Sequence, residues 1–384
     1  MVINVQPQNS TFSKSPILYM VTDTDVTRVT AIADIYLWRG DIGSKPAEKS
    51  YRLKKSISNV AGSNPSSAIF NVGRLVDDLL TQPDPTEYDL GVFSPSSTEV
   101  IWCSVNFGYI TDAGVIVEND AVSESVLCIG GYGEFQQGVN QEMPDILTSV
   151  KDHKISSDNK LIVAIANTSD KSGVTLRYTS DSGNQQFFNI TSNKDLSTDN
   201  VLHFDMSPSL FVGTYNESYR FDLLTNSSGV IDTVNISVSN LCKYESLSVG
   251  YVNRFGVWDF IPFNGKSVLN TKSTTSDYQN SDLGLNINVS TNPFTLDYDT
   301  SRPQYKRFNG EFKRERVLNT DYVTEDLYLG LEEMMISERC YLWEYGSPMN
   351  PKDTSLTRKT GLNDKLIQYS VSFTEAFNVQ NQIL

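Results

Sequence analysis

Short runs of alternating apolar and polar residues recur along most of the chain, with Gly, Asn, Asp or Ser between them. A period of two puts successive side chains on opposite faces, which is the pattern of a β-strand with one buried side. Such runs lie over residues 28–38, 98–107, 123–129, 160–166, 173–179, 185–190, 201–205, 218–224 and 234–238. Their rhythm predicts β-sandwiches or barrels, not a parallel sheet with helical crossovers. The densest pattern is Tyr251-Val-Asn-Arg-Phe-Gly-Val-Trp-Asp-Phe-Ile-Pro-Phe263. It reads as a hairpin, with Gly256 free to take the left-handed turn conformation. Trp258 and Phe260 face away from Val257 and Ile261, so both sides carry bulky apolar groups and both expect burial.

Two segments carry helical periodicity instead. Val72, Leu75, Val76, Leu79 and Leu80 form one stripe, with Asn71 as the expected N-cap and Pro83 beyond the end. Leu327, Leu331, Met334 and Met335 form a second stripe over residues 323–337, with Thr324 as the expected cap. Glu332 and Glu333 fall on the side expected to face solvent. The fold class read from these patterns is mainly β: two or three sandwich- or barrel-like domains, with one or two short helices packed on sheets. The expected division is 1–135, 136–240 and 241–384. Gly130-Gly-Tyr-Gly133 is read as a flexible joint after the first unit, and the polar stretch 267–300 as an excursion from the third.

Length and composition suit a globular protein: 384 residues, 39% hydrophobic and 20% charged, with no apolar run long enough to span a bilayer. The start of the chain lacks the pattern of a secretory signal. Net charge is −15, which argues against a general nucleic-acid-binding role, since that affinity comes from cations on phosphates. A local basic patch stands out: Lys306, Arg307, Lys313, Arg314 and Arg316. It is read as a contact to an acidic neighbouring subunit or as a solvated face. The scattered Cys103, Cys128, Cys242 and Cys340 show neither metal spacing nor a disulfide framework and read as buried thiols.

Candidate chemistry is sparse. Only His153 and His203 are present; His153 reads as a surface loop residue and His203 as part of a strand. No nucleophile elbow, HExxH, P-loop or dinucleotide fingerprint occurs. We therefore read no catalytic, cofactor-binding or metal-binding residues, no cofactor and no enzymatic activity. A glycan hydrolase using two carboxylates is the enzymatic alternative.

Several segments resemble a recurrent module of virion proteins in tailed phages of Bacteroidetes, the crAss-like phages among them. They are Tyr251-Val-Asn-Arg-Phe-Gly-Val-Trp-Asp-Phe260, Val317-Leu-Asn-Thr-Asp-Tyr-Val-Thr-Glu-Asp-Leu327, Leu331-Glu-Glu-Met-Met-Ile-Ser-Glu338 and the stretch 358–378. A weaker similarity covers Ser15-Pro-Ile-Leu-Tyr19, Asp34-Ile-Tyr-Leu-Trp-Arg-Gly40, Tyr51-Arg-Leu-Lys54 and Ile69-Phe-Asn-Val-Gly-Arg-Leu-Val-Asp-Asp78. The middle of the chain is not covered. The resemblance implies a structural subunit of a tail ring, hub or portal-proximal assembly, located in the virion and made in the host cytoplasm. It implies a homo-oligomeric ring that meets neighbouring tail, portal or ring proteins and forms part of the DNA conduit. Neither sequence-specific nucleic-acid binding nor a membrane is implied. The residues expected at subunit interfaces are Arg254, Trp258, Lys306, Arg307, Lys313, Arg314 and Arg316. A tail receptor-binding protein or adhesin that recognises surface glycans is the competing reading.

Overall fold

The computed structural model describes residues 1–384 except 26, 58–65, 85–92, 97, 167–174, 190–200, 212–217, 225–228, 240–242, 280–284, 289, 291–294, 299–300, 354, 359–366, 378 and 381–384. The chain is mainly β, with three short α-helices among the described residues. Each alternating run singled out in the sequence contains a strand among its described residues, including Arg28–Trp38, Val201–Asp205 and Val230–Val238, while 173–174 and 190 lie outside the described residues.

Three β assemblies follow along the chain. In the first, a three-stranded sheet (Val2–Val5, Leu18–Asp23, Ser66–Asn71) accompanies a six-stranded sheet centred on Arg28–Trp38 and Val100–Thr111. Tyr19, Val21 and Phe70 of the smaller sheet meet Ala33, Ile35, Val105 and Phe107 of the larger in one core. In the second, a five-stranded sheet packs with a three-stranded one around Tyr178, Phe204, Tyr219 and Phe221. Phe204 and Phe221 meet edge to face at 5.3 Å between centroids, a favoured aromatic geometry. The third is an eight-stranded sheet that begins with the Trp258 hairpin and ends with a long ribbon, Val268–Gln279 against Tyr305–Asn319.

The units are stitched together. Phe93–Ser96 pairs with Val201–Asp205 in the second assembly. The hairpin Leu247–Val252 and Trp258–Phe263 is buried on both faces, as its pattern requires. Trp258 and Phe260 join the second core, whereas Leu247, Val249, Tyr251, Ile261 and Phe263 build the third. One short hairpin thus holds two cores in register.

Several local expectations need correction. The first helix is only Gly73–Asp77, with Val72 at the N-cap position; the Asn71 side chain still accepts the Gly73 N–H at 3.1 Å. The second runs Leu327–Ile336 with Asp326, not Thr324, at its cap. A third helix, Pro208–Phe211, is four residues long, too short to carry a helical period in the sequence. His153 is 3% exposed, inside the strand Asp152–Ile155, because that strand packs beside Val230–Val238. Gly130–Gly133 is a tight docking surface, not a loose joint: Gly256 takes φ +79°, and a Cβ there would stand 2.5 Å from the Gly130 carbonyl carbon. A Cβ on Gly131 would lie 2.5 Å from the Arg254 carbonyl oxygen. Glycine is needed where two backbones approach this closely. Cys103, Cys128 and Cys340 are buried free thiols, and Cys242 lies outside the described residues.

Candidate functional site

Two features stand out chemically: a buried polar knot where the three assemblies meet, and the exposed ribbon. The knot forms around the turn of the Trp258 hairpin. Tyr132 N–H donates to the Arg254 carbonyl at 2.7 Å. The Asn253 side-chain amide donates to the Leu147 carbonyl at 2.7 Å, and its Oδ1 accepts the Phe255 N–H at 3.0 Å. The Arg254 guanidinium bridges Glu134 at 2.8 Å and Glu333 at 3.4 Å and lies over the Phe255 ring.

Two carboxyls sit inside this knot. Asp259 is 2% exposed; its Oδ2 accepts Thr148 Oγ1 at 2.5 Å, and its Oδ1 accepts the Phe260 N–H. Burial pushes its pKa up to about 6, against the pull of these donors. Glu333 accepts Ser149 Oγ at 2.5 Å and the Arg254 N–H at 3.3 Å. Its pKa is likewise raised, to about 7, by burial; desolvation outweighs both the donors and the Arg254 cation. The Tyr251 hydroxyl is buried nearby without a hydrogen-bond partner among the described residues, and its pKa is pushed well up by burial. Gly330 makes room for it: a Cβ there would come within 3.0 Å of that oxygen and 2.6 Å of Val150.

Glu333 thus corrects the expectation that both glutamates of the pair face solvent. Glu332 does so, while Glu333 is buried. A glycine inside a helix signals close backbone approach, and Gly330, one turn before Glu333, was the available clue. Glu333 also borders a cleft of about 420 Å³ with Lys14, Asp77, Tyr132 and Arg339. Raised carboxyls beside a cleft can serve as proton donors. Here, however, the oxygens of both are engaged by groups of the chain itself, and they act as cross-links between segments distant in sequence. Both histidines are interior too. His153 Nε2 lies 3.0 Å from the Val150 carbonyl, and His203 Nε2 lies 2.7 Å from Glu99 Oε2. Among the described residues, no group of three or more His, Cys, Asp or Glu could hold a metal ion, and no helix is long and apolar enough to cross a membrane.

The anticipated interface residues divide. Trp258 is 2% exposed; its indole donates to the Pro83 carbonyl at 2.9 Å and Arg339 lies over the ring, so its surface is used within the chain. Arg254 belongs to the knot. The five basic residues all lie on Tyr305–Asn319, one strand of the ribbon. Its partner Val268–Gln279 is exposed at every position, and no other strand pairs with it among the described residues.

Register decides how the cations are arranged. A bulge at Phe308 shifts pairing from Asn309↔Ser276 to Arg307↔Asp277, and such an insertion flips the alternation beyond it. Arg307 therefore shares a face with Arg314 and Arg316, while Lys306 shares the other with Lys313 and Lys272. The ion pair of Arg307 with Asp277 (3.4 Å) and that of Lys272 with Glu315 (3.0 Å) agree with this assignment. Plain alternation in the sequence would have placed Arg307 with Lys313.

No protein-family model matches the chain, and no curated protein matches it. Among solved structures it is similar to the native conformation of E. coli alpha-2-macroglobulin, at 9% identity and TM-score 0.22, covering 83% of this chain and 21% of that one. It is also similar to the fibronectin(III)-like modules of Clostridium thermocellum CbhA (9% identity, TM-score 0.17, 64% of this chain and 97% of that). A third similarity is to CBD12 from CALX1.2 (7% identity, TM-score 0.18, 60% and 96%). The chain thus spans about a fifth of the macroglobulin's length. At these scores the similarities carry no functional argument.

Proposed function

We propose that the chain is a virion structural protein, a subunit of a tail ring, hub or portal-proximal assembly that packs against copies of itself and neighbouring virion proteins. The observation that carries this reading is the ribbon. The base of the ribbon is paired with Ser370–Glu375 and Val379–Gln380, but its outer end, Thr275–Gln279 with Tyr305–Gly310, is two strands only and largely exposed. Such a two-stranded end is marginal in water, and an open strand edge is a template for another chain. The ribbon also differs in net charge from the rest of the chain. Its two strands hold Lys272, Lys306, Arg307, Lys313, Arg314 and Arg316 against Asp277, Glu311 and Glu315. That local charge of +3 within a net charge of −15 leaves −18 on the remainder. A basic arm on an acidic body suits contact between subunits, because complementary potentials orient the encounter.

The use of the polar groups in the knot as internal cross-links favours a building block over a catalyst. The resemblance of the 251–260, 317–327 and 331–338 segments to phage virion proteins supplies the kind of assembly. The acidic remainder suits a conduit along which DNA slides without adhering, since a negative wall repels phosphates. A second reading, a tail protein that docks surface glycans, draws on Tyr278, Tyr305 and Phe308, which stand 43%, 62% and 60% exposed on the ribbon. Cryo-electron microscopy of phage particles containing the chain tests the proposal: density for it in a ring between portal and tail is expected. Absence from the particle, or a position only at the distal receptor-binding tips, would overturn it. A basic lumen lining would remove the conduit role.

A further inference from the structure

The outer face of the helix Leu327–Ile336 carries exposed aliphatic side chains beside a group of carboxylates. Leu329 and Ile336 point outward, 45% and 65% exposed, with Glu332 exposed between them and Tyr322 43% exposed just upstream. An amphipathic helix on a sheet ordinarily keeps polar groups outward, so two large aliphatics there mark a surface with a use. The rim is acidic. Asp152, Glu325 and Asp326 lie together at the start of the helix with Arg358, and Asp321 just upstream faces Lys154 at 3.4 Å. The cations that border Leu329 and Ile336 (Lys151, Lys14 and Arg339) are each paired within the chain, with Asp232, Glu338 and Asp84. The Asp326 carboxyl is held above its usual range by partial burial and by its hydrogen bond to, and the charge of, Asp152, with Glu325 adding to it. Burial is the larger cause, and the neighbouring carboxyls add to it.

Resting on the reading of the chain as a self-assembling subunit, we propose that this acidic, aliphatic helix face is the socket for the ribbon of a second copy. The two surfaces are complementary in sign. Counting Asp152, Asp321, Glu325, Asp326 and Glu332 against Lys154 and Arg358 gives −3, opposite the +3 of the ribbon. They also match in apolar character, with Tyr278, Tyr305 and Phe308 available to cover Tyr322, Leu329 and Ile336. Because socket and arm are different patches of one chain, the contact is head to tail, and it closes a ring if the rotation between copies allows. Arg307, Lys272 and Arg314 already face Asp277, Glu315 and Glu375 within the chain. In the socket the arm's Lys306 and Lys313 gain carboxylate neighbours, and the unpaired outer edge of Val268–Gln279 is shielded at the seam.

The test mixes two variants of the full chain, Ile336→Cys and Ser276→Cys, each also carrying Cys242→Ser, and treats them with a short bismaleimide, with the Cys242→Ser chain alone as control; Cys103, Cys128 and Cys340 are buried. A covalent dimer containing one chain of each kind is expected. In parallel, Lys306→Glu with Lys313→Glu on the arm, and separately Asp326→Lys with Glu332→Lys on the socket, should each weaken self-association at least about tenfold, and mixing the two reversed chains should restore it. Native mass spectrometry reads the oligomers, and circular dichroism verifies that each variant is folded. If oligomers form but the cysteines do not link, or charge reversal leaves association unchanged, the arm docks elsewhere: this proposal fails while the structural reading stands. A chain that stays monomeric at every concentration overturns the proposal as well, and the content of virions then decides the functional reading independently.

Discussion

Replacing Glu333 with Gln tests the buried knot most sharply, because the effect should change with pH in a calculable way. The native carboxyl titrates near 7, against an ordinary value of 4.5. Its native value is the higher one, so between these limits the folded chain binds more proton than the unfolded chain. Stability from this group is therefore full below about pH 4.5 and is lost as pH rises through 7. At 1.36 kcal/mol per pKa unit, the full loss is about 3 kcal/mol, and most of it falls between pH 5 and pH 8. Glutamine cannot ionise and keeps an acceptor for Ser149, but it loses part of the contact with the Arg254 N–H, at a cost of about 1 kcal/mol. Glu333→Gln should thus be slightly less stable than the parent at pH 5 and more stable at pH 8. The difference between the two chains should move by about 2–3 kcal/mol across that range. Urea unfolding followed by tryptophan fluorescence at several pH values measures it. A difference that does not vary with pH would show that Glu333 does not titrate inside the fold as described, and the knot would need another explanation.

Gly256→Ala places a side chain at φ +79° against the Gly130 backbone; a loss of about 2–5 kcal/mol in urea unfolding is expected, and a neutral result would mean that the hairpin turn does not dock on the glycine segment. Trp258→Phe removes the indole donor to Pro83 and leaves a void in the second core, so thermal unfolding should show about 1–3 kcal/mol of destabilisation. No change in that assay would place Trp258 outside the second core.

Much of the fold could be read from alternation alone. The hairpin Leu247–Val252 and Trp258–Phe263 carries apolar groups on both faces, and no solvent-exposed strand has that pattern. What escaped depends on distant partners. Glu333 resembles any surface glutamate until Ser149, nearly two hundred residues earlier, is brought to it. Gly130–Gly131 reads as flexible because glycine permits motion, yet the Arg254–Gly256 turn fills the space above it. His153 sits in a polar run whose strand is buried only because Val230–Val238 lies alongside. The basic patch was visible as a cluster, but its two faces follow from a bulge that no residue at Phe308 announces.

If the chain fits against copies of itself through the ribbon, as proposed, shortening the ribbon should abolish assembly. Ser273 and Phe312 are cross-strand partners, so residues 274–311 can be replaced by an Asn-Gly turn that preserves the base of the hairpin. Mass photometry of the two proteins side by side should find closed oligomers for the full chain, and monomers of unchanged melting temperature for the shortened one. A full chain that never assembles, or a shortened chain that assembles equally well, would contradict the account.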